Sequence, residues 1–218
     1  MDSEFWHKRW NANQIAFHQG RPNAMLERHF AALGLAPLAR VLVPLCGKAT
    51  DMTWLRRHGH EVLGVELSPI AVRDYFRDQH EPYAVSERDT FEVITSERIE
   101  ILRGDFFATK AANIGEGAIQ GVYDRAALVA LPEQMRARYV AHLLDLVGPD
   151  IPILLITFDY QQAQMQGPPF SVPEALVRTL FEPHRSVTLL EREEVLDRAP
   201  ELKQRGLTQL AEAAFMIV

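Results

Sequence analysis

The sequence predicts an α/β domain whose central sheet is mostly parallel and covered by helices on both faces. Three observations predict it. Short runs rich in Val, Leu and Ile alternate with longer segments whose apolar residues recur at i, i+3 and i+4. Two of those runs, RVLVPL and IPILLITF, are apolar at nearly every position, as strands covered on both sides are. Several runs end abruptly in glycine or charge: Cys46-Gly47, Glu66, Gly104-Asp105 and Asp124-Arg125.

The elements follow in order. Residues 1–20 carry Phe5, Trp6, Trp10 and Phe17 among polar neighbours. A solvated arm rarely holds so many large aromatics, so this segment is expected to pack on the body. Residues 23–33 read as a helix with Met25, Leu26, His29, Phe30 and Leu33 on one face and Pro22 suited to its start. Residues 40–45 form the first buried strand. A helix over 50–58 follows, capped by Thr50 or Asp51 and closed by Gly59. The second strand is 61–66, and a helix then runs from Ser68 to about Gln79, with Pro69 at its first position. The polar stretch 81–98 reads as an excursion holding one short strand, 91–95. Residues 99–103 are the third core strand, 115–121 a loop, and 119–123 the fourth strand. A strong helix over 132–146 places Met135, Tyr139, Leu143 and Leu146 on one face. The fifth strand, 151–158, is central. The loop 167–170, Gly-Pro-Pro-Phe, is stiff, and 173–181 is helical. Residues 186–190 and 209–218 close the chain as an antiparallel pair of strands.

Composition narrows the function. The chain has 218 residues, 47% of them hydrophobic and 24% charged, and reads as a single domain over 1–218. A domain of this size buries roughly 70% of its unfolded surface and needs no staple. Its one cysteine forbids an intramolecular disulfide and suits a reducing compartment. The net charge of −6 argues against nucleic acid as a partner, because duplex binding needs a basic excess. No run approaches the roughly 20 apolar residues that span a bilayer. The start, MDSEFWHKRW, lacks the apolar centre of a secretory signal. A cytoplasmic protein without a membrane partner is expected.

In an open parallel sheet, ligands bind outside the carboxyl ends of the strands, where the strand order reverses. Glu66 ends the second strand 19 residues after Gly47. A carboxylate there can accept from the vicinal hydroxyls of a ribose, or it can be an exposed strand-end acid or a capping partner. The spacing does not tell a nicotinamide nucleoside from S-adenosylmethionine. The glycine turn narrows the choice. P-L-C-G-K holds one glycine, whereas a dinucleotide fingerprint needs three and a phosphate loop needs G-x-x-x-x-G-K. A cofactor without phosphates needs only one close backbone approach.

Asp105 reads as a partner of the adenine amine, with Phe106 packing on the ring, or equally as a turn aspartate. Arg125 reads as a fixed positive charge for a ligand, or as the ion-pair partner of Asp124 or Asp105. Cys46 is read as a buried structural thiol rather than a nucleophile, although Lys48 and the turn could lower its pKa. No G-x-S-x-G elbow is present, and His58 and His60 lack further metal ligands in a recognisable pattern.

Several motifs are familiar together: F-W-x-x-R-W, A-F-H-Q, V-P-L-C-G-K, G-H-E-V-L-G-V-E, Y-D-R-A-A-L-V-A-L and G-P-P-F-S-V-P. In this order, over nearly the whole chain, the sequence resembles the bacterial branch of the thiopurine S-methyltransferases. The resemblance implies a class I methyltransferase (Rossmann-like) fold with a seven-stranded sheet and an antiparallel last strand. It implies S-adenosylmethionine as cofactor and S-adenosylhomocysteine as product. It places cofactor contacts on Trp10, Leu45, Glu66 and Arg125, with Asp105 and Phe106 on the adenine side. It places Phe17 and Arg125 near the methyl acceptor, and 1–20 as a lid-like segment. Residues 200–206 align poorly with the animal enzymes, and Arg205 is a nearby candidate for a second arginine facing the acceptor.

The expected reaction is in-line methyl transfer from a sulfonium to a thiol or thiolate, such as that of a thiopurine. Such a donor and acceptor need little acid–base chemistry, so no residue is assigned as acid or base; the protein aligns them and excludes water. A detoxifying methyltransferase for selenium or tellurium compounds would use the same site. The expected partner is a small-molecule thiol bound by a monomer.

Overall fold

The computed structural model describes residues 3–12, 14, 19–114 and 118–218. Its strands are β1 (Arg40–Pro44), β2 (Glu61–Glu66), β3 (Ala84–Arg88), β4 (Phe91–Ser96), β5 (Ile99–Arg103), β6 (Gly121–Arg125), β7 (Ile153–Asp159), β8 (Val187–Glu194) and β9 (Ala211–Ile217). The helices are α1 (Ser3–Asn11), α2 (Ala24–His29), α3 (Thr50–Arg57), α4 (Pro69–Gln79), α5 (Ala111–Ile114), α6 (Glu133–Val147), α7 (Glu174–Phe181) and α8 (Pro200–Gln204).

One sheet runs in the order β3-β4-β5-β2-β1-β6-β7-β9-β8. β1, β2, β5, β6 and β7 are parallel, and β9 is antiparallel to both β7 and β8. The mostly parallel sheet with its antiparallel last strand is therefore present, but with nine strands instead of seven. The two additional strands are the β3–β4 hairpin on the outer side of β5. The sequence reading finds β4 and misses β3. Four of the five residues of β3 are exposed, so no apolar alternation marks it. It is held instead by pairing with β4 across a turn in which Asp89 takes φ +54°.

Other differences are local. The helix expected over 23–33 is α2 followed by a tight turn of 3-10 helix, Phe30–Leu33, ended by Gly34 in the left-handed region. The fourth strand begins and ends two residues later than the apolar run, so Asp124 and Arg125 lie within it. β8 continues beyond the expected 190 through an alternating charged stretch to Glu194. α1, α5 and α8 are short and have no counterpart in the sequence reading.

Two cores flank the sheet. Met25 and Leu26 of α2, Met52 and Leu55 of α3, and Val72, Tyr75 and Phe76 of α4 pack on one face. Tyr139, Val140 and Leu143 of α6 and Val177 and Phe181 of α7 pack on the other. Alternate residues of each strand serve opposite faces: Val41 and Val43 join the first core and Leu42 the second. Strand order reverses between β1 and β6, since the chain builds outward from β1 through β2 to β5 and then crosses to β6 and β7. A crevice opens at such a switch point.

Candidate active site

The crevice is a cleft of about 530 Å³, within the range of small-molecule sites. Trp10, Leu45, Glu66, Asp105, Phe106 and Arg125 all line it, so one surface collects the candidate residues of α1 and four strand ends. Phe17 lies outside the described residues.

β1 delivers the first of these. Past Pro44 the chain bends sharply, with Leu45 at φ +47° and Gly47 at φ +54°. A leucine in the left-handed region costs about 1–2 kcal/mol, and it is held there by surrounding bonds, including Cys46 N–H donating to the Val65 carbonyl at 3.1 Å. Gly47 is the single glycine the turn needs. A Cβ on it would meet the Trp10 indole at 3.4 Å. Trp10 is 5% exposed and packs on the body as expected, whereas Phe5 and Trp6 are only half-buried.

Glu66 is held from both sides. Its Oε2 accepts from the Gly47 backbone N–H at 2.8 Å, and its Oε1 accepts from the Ser68 N–H at 2.7 Å. Burial pushes this carboxyl above its ordinary range, and the N–H groups oppose that rise. Each oxygen has further capacity to accept. Glu66 thus tethers the loops after both β1 and β2 while lining the cleft, where a carboxylate can accept from a vicinal diol. The cap of α4 is a separate residue, Ser68, whose Oγ accepts from Ala71 N–H.

At the end of β5, Asp105 is exposed, and its Oδ1 accepts from Phe107 N–H at 3.0 Å. That is the geometry of a turn aspartate, and its position in the cleft wall is also that of a ligand contact. Phe106 is 4% exposed and packs edge-on or tilted against Tyr139 and His142, with centroids at 5.3 and 5.2 Å. It stiffens the wall from the α6 side. Phe107 and Arg138, which the sequence reading passed over, also line the cleft, the guanidinium 4.4 Å from the ring centroid.

Asp124 and Arg125 do not pair. Adjacent strand residues leave opposite faces of a sheet. Asp124 is fully buried; its Oδ2 accepts from the Tyr139 hydroxyl at 2.7 Å and its Oδ1 from Leu128 N–H at 3.4 Å. Burial raises its carboxyl to about 6. Arg125 lies on the α2–α3 face, where its charge acts on the buried carboxyls of Asp51 and Glu212. Their separation in sequence from Arg125 left no local signal.

The opposite wall is built from Val129, Ala130 and Leu131 after β6 and from Pro168 and Pro169. Phe170 N–H donates to the Val129 carbonyl at 2.6 Å, and the Tyr160 hydroxyl donates to the Pro169 carbonyl at 2.6 Å. Arg205 donates through Nη1 to the Pro168 carbonyl at 3.2 Å and so braces this wall from behind.

Cys46 is buried, and burial pushes its thiol up, away from the reactive thiolate. Lys48 does not activate it: its Nζ pairs with Asp78 Oδ2 at 2.8 Å. His58 stacks on Trp54 at 3.7 Å, and His60 packs against Phe30. Among the described residues, no group of three or more His, Cys, Asp and Glu is arranged to hold a metal. The arrangement can therefore bind a ribosyl group and an uncharged base against apolar walls, with Arg125 and Arg138 at the cleft.

Comparison with known proteins agrees with this geometry. The family model for thiopurine S-methyltransferase matches residues 1–217. Thiopurine S-methyltransferase of Pseudomonas entomophila (strain L48) is 48% identical over 221 residues, covering 100% of this chain and 99% of that protein. The enzyme of the same name from Azotobacter vinelandii is 45% identical over 217 residues, covering 100% and 99%. Among solved structures, the 1,6-didemethyltoxoflavin-N1-methyltransferase of Burkholderia thailandensis, with S-adenosylhomocysteine bound, aligns at a TM-score of 0.62 and 16% identity, covering 99% of this chain and 87% of that one. The magnesium protoporphyrin IX methyltransferase of Synechocystis PCC 6803 aligns at 0.61 and 12% identity, covering 99% of both chains. At these identities the structural likeness establishes a class I methyltransferase fold.

Proposed function

The chain belongs to the thiopurine S-methyltransferase family, and from that premise we infer that it methylates the sulfur of aromatic and heterocyclic thiols such as thiopurines, using S-adenosylmethionine. When bound, that cofactor supplies a methyl group already activated on a sulfonium.

The observation that carries this reading is Glu66. A buried carboxylate, pinned by loop N–H groups and lining the cleft at the sheet's switch point, suits the ribose of the cofactor. Leu45 and Trp10 lie beside it along the glycine turn, and Asp105 and Phe106 form the wall assigned to the base. Arg125 favours an anionic sulfur over a neutral thiol by opposite charge and serves the cofactor's charged end as well. The apolar surfaces of Trp6, Trp10, Val129, Leu131 and Pro169 exclude water from the acceptor. None of these groups needs to move a proton.

In this reading the chain is one domain whose N-terminal segment serves as a lid through Trp6 and Trp10, and it acts as a cytoplasmic monomer on a small molecule, without nucleic acid or membrane. Among the described residues no helix is long and apolar enough to cross a membrane. The test is a labelled-methyl assay with an aromatic thiol and, in parallel, a selenium acceptor. Label in the thiol, dependent on Glu66, is expected. Absence of transfer to any thiol by folded protein would overturn the proposal, and faster transfer to selenium would shift it to detoxification.

A further inference from the structure

One charge buried behind the cleft wall has no counter-charge. Arg136 of α6 lies three and four residues before Tyr139 and Val140, on the stripe by which that helix packs on the sheet, where an apolar residue would continue the pattern. It is 5% exposed. Among the described residues it forms no ion pair, and its one hydrogen bond runs from Nε to the Leu131 carbonyl at 3.0 Å. The guanidinium carbon stands 5.7 Å from the centroid of the Phe170 ring, within cation–π range.

These two contacts reach both segments of the apolar wall. Leu131 closes the turn after β6 that supplies Val129, Ala130 and Leu131 to the cleft. Phe170 follows Pro168 and Pro169, which supply the rest. Phe170 is fixed in three ways. Its N–H donates to the Val129 carbonyl at 2.6 Å, its ring lies so close over Gly167 that a Cβ there would collide with it, and Arg136 approaches the ring. Arg136 itself is not among the residues lining the cleft.

Stability does not account for an arginine here. Taking a guanidinium out of water without a counter-ion is costly, and a well-packed apolar side chain avoids that cost. What an apolar side chain cannot do is donate to a carbonyl of one segment while stacking on a ring of the other. The planar guanidinium does both at once. An ammonium would keep the bond to Leu131 and lose the stack.

We propose that Arg136 is a positioning residue for the methyl acceptor: it clasps the turn after β6 to the 167–170 loop and so fixes the apolar wall against which the aromatic ring of the thiol lies, without touching either ligand. This rests on the reading that the acceptor binds against that wall.

The test compares variants of the full chain with S-adenosylmethionine and an aromatic thiol. Arg136→Met keeps the bulk and loses both contacts. Its kcat/KM for the thiol should fall about tenfold, with the rise in KM the larger part; misplacing a bound reactant by about 1 Å can cost about a hundredfold. Its affinity for S-adenosylhomocysteine should stay within about twofold of wild type. Arg136→Lys should fall between Arg136→Met and wild type. Phe170→Leu alone should lower kcat/KM about fivefold, but in an Arg136→Met background by less than about twofold, because the clasp is already open. Should Arg136→Met not fold, Arg136→Lys and Phe170→Leu carry the same comparison. A merely structural role predicts that S-adenosylhomocysteine affinity and thiol KM weaken together with the melting temperature. That result, a normal kcat/KM, or effects that multiply in the double variant would overturn the inference. Ala130→Leu thickens the wall itself and checks the underlying reading. It should raise KM for the thiol; an unchanged KM would overturn the acceptor wall along with the clasp.

Discussion

Replacing Glu66 separates its two duties, because its carboxylate serves the fold and the ligand at once. In Glu66→Ala, the N–H groups of Gly47 and Ser68 lose acceptors at 2.8 and 2.7 Å. An unsatisfied buried N–H costs about 1–3 kcal/mol, and water entering from the cleft keeps each cost near the low end, so the fold should lose roughly 2 kcal/mol. In a protein of this size that lowers the melting temperature by about 4–8 °C. The ligand loses more. Two hydroxyl donors on a carboxylate contribute about 1.5 kcal/mol or more each, so the affinity for S-adenosylhomocysteine should fall by roughly 3 kcal/mol, a little over a hundredfold. Glu66→Gln should fall between, since its amide leaves one loop N–H facing another donor. Calorimetric titration with S-adenosylhomocysteine and thermal melts of the three proteins are the assays. Should both variants bind within threefold of wild type, with melts unshifted, neither the tether nor the ribose assignment survives.

Three further outcomes are expected. Asp124 has its carboxyl raised from 3.8 to about 6 in the fold, so the folded state holds the extra proton between those values and stability falls as pH rises through them. Relative to Asp124→Asn, wild type should therefore gain about 1.4 kcal/mol between pH 7.5 and pH 5, and about 3 kcal/mol in full below pH 3.8, read as diverging melts in a pH series; parallel melts would contradict it. Trp10→Ala removes a 5% exposed indole from against Gly47, so S-adenosylhomocysteine affinity should drop and protease should cut within α1 sooner, with the sheet core intact by circular dichroism. Gly104→Ala would put a Cβ 2.5 Å from the ring of Phe91, which is 2% exposed and has nowhere to swing; a loss of about 1–3 kcal/mol is expected in denaturant titration.

The parts of this protein that follow from neighbouring residues are legible without a structure. The strands of the inner sheet show as continuous apolar runs because both their faces are covered, and the helices show their period because one face is. Glu66 and Gly47 stand out because a strand end and a turn leave short-range marks. β3 leaves none, being mostly exposed and held by backbone pairing with β4 and by Arg88, which donates to Glu100 across the hairpin. The surroundings of β6 show why the remainder is hidden. Reading along the chain offers Asp124 as the neighbour, but the pleat turns adjacent side chains to opposite faces, and Asp124 goes to Tyr139 instead. Asp51 and Glu212, brought together on Asn23 from 28 and 189 residues away, meet because β9 inserts beside β7. Sequence alone determined the fold class and the acid at the tip of the second strand, since both depend on short-range pattern. The order of strands in the sheet decided which charges surround the cleft, since electrostatic fields act through space and only the assembled sheet sets those distances.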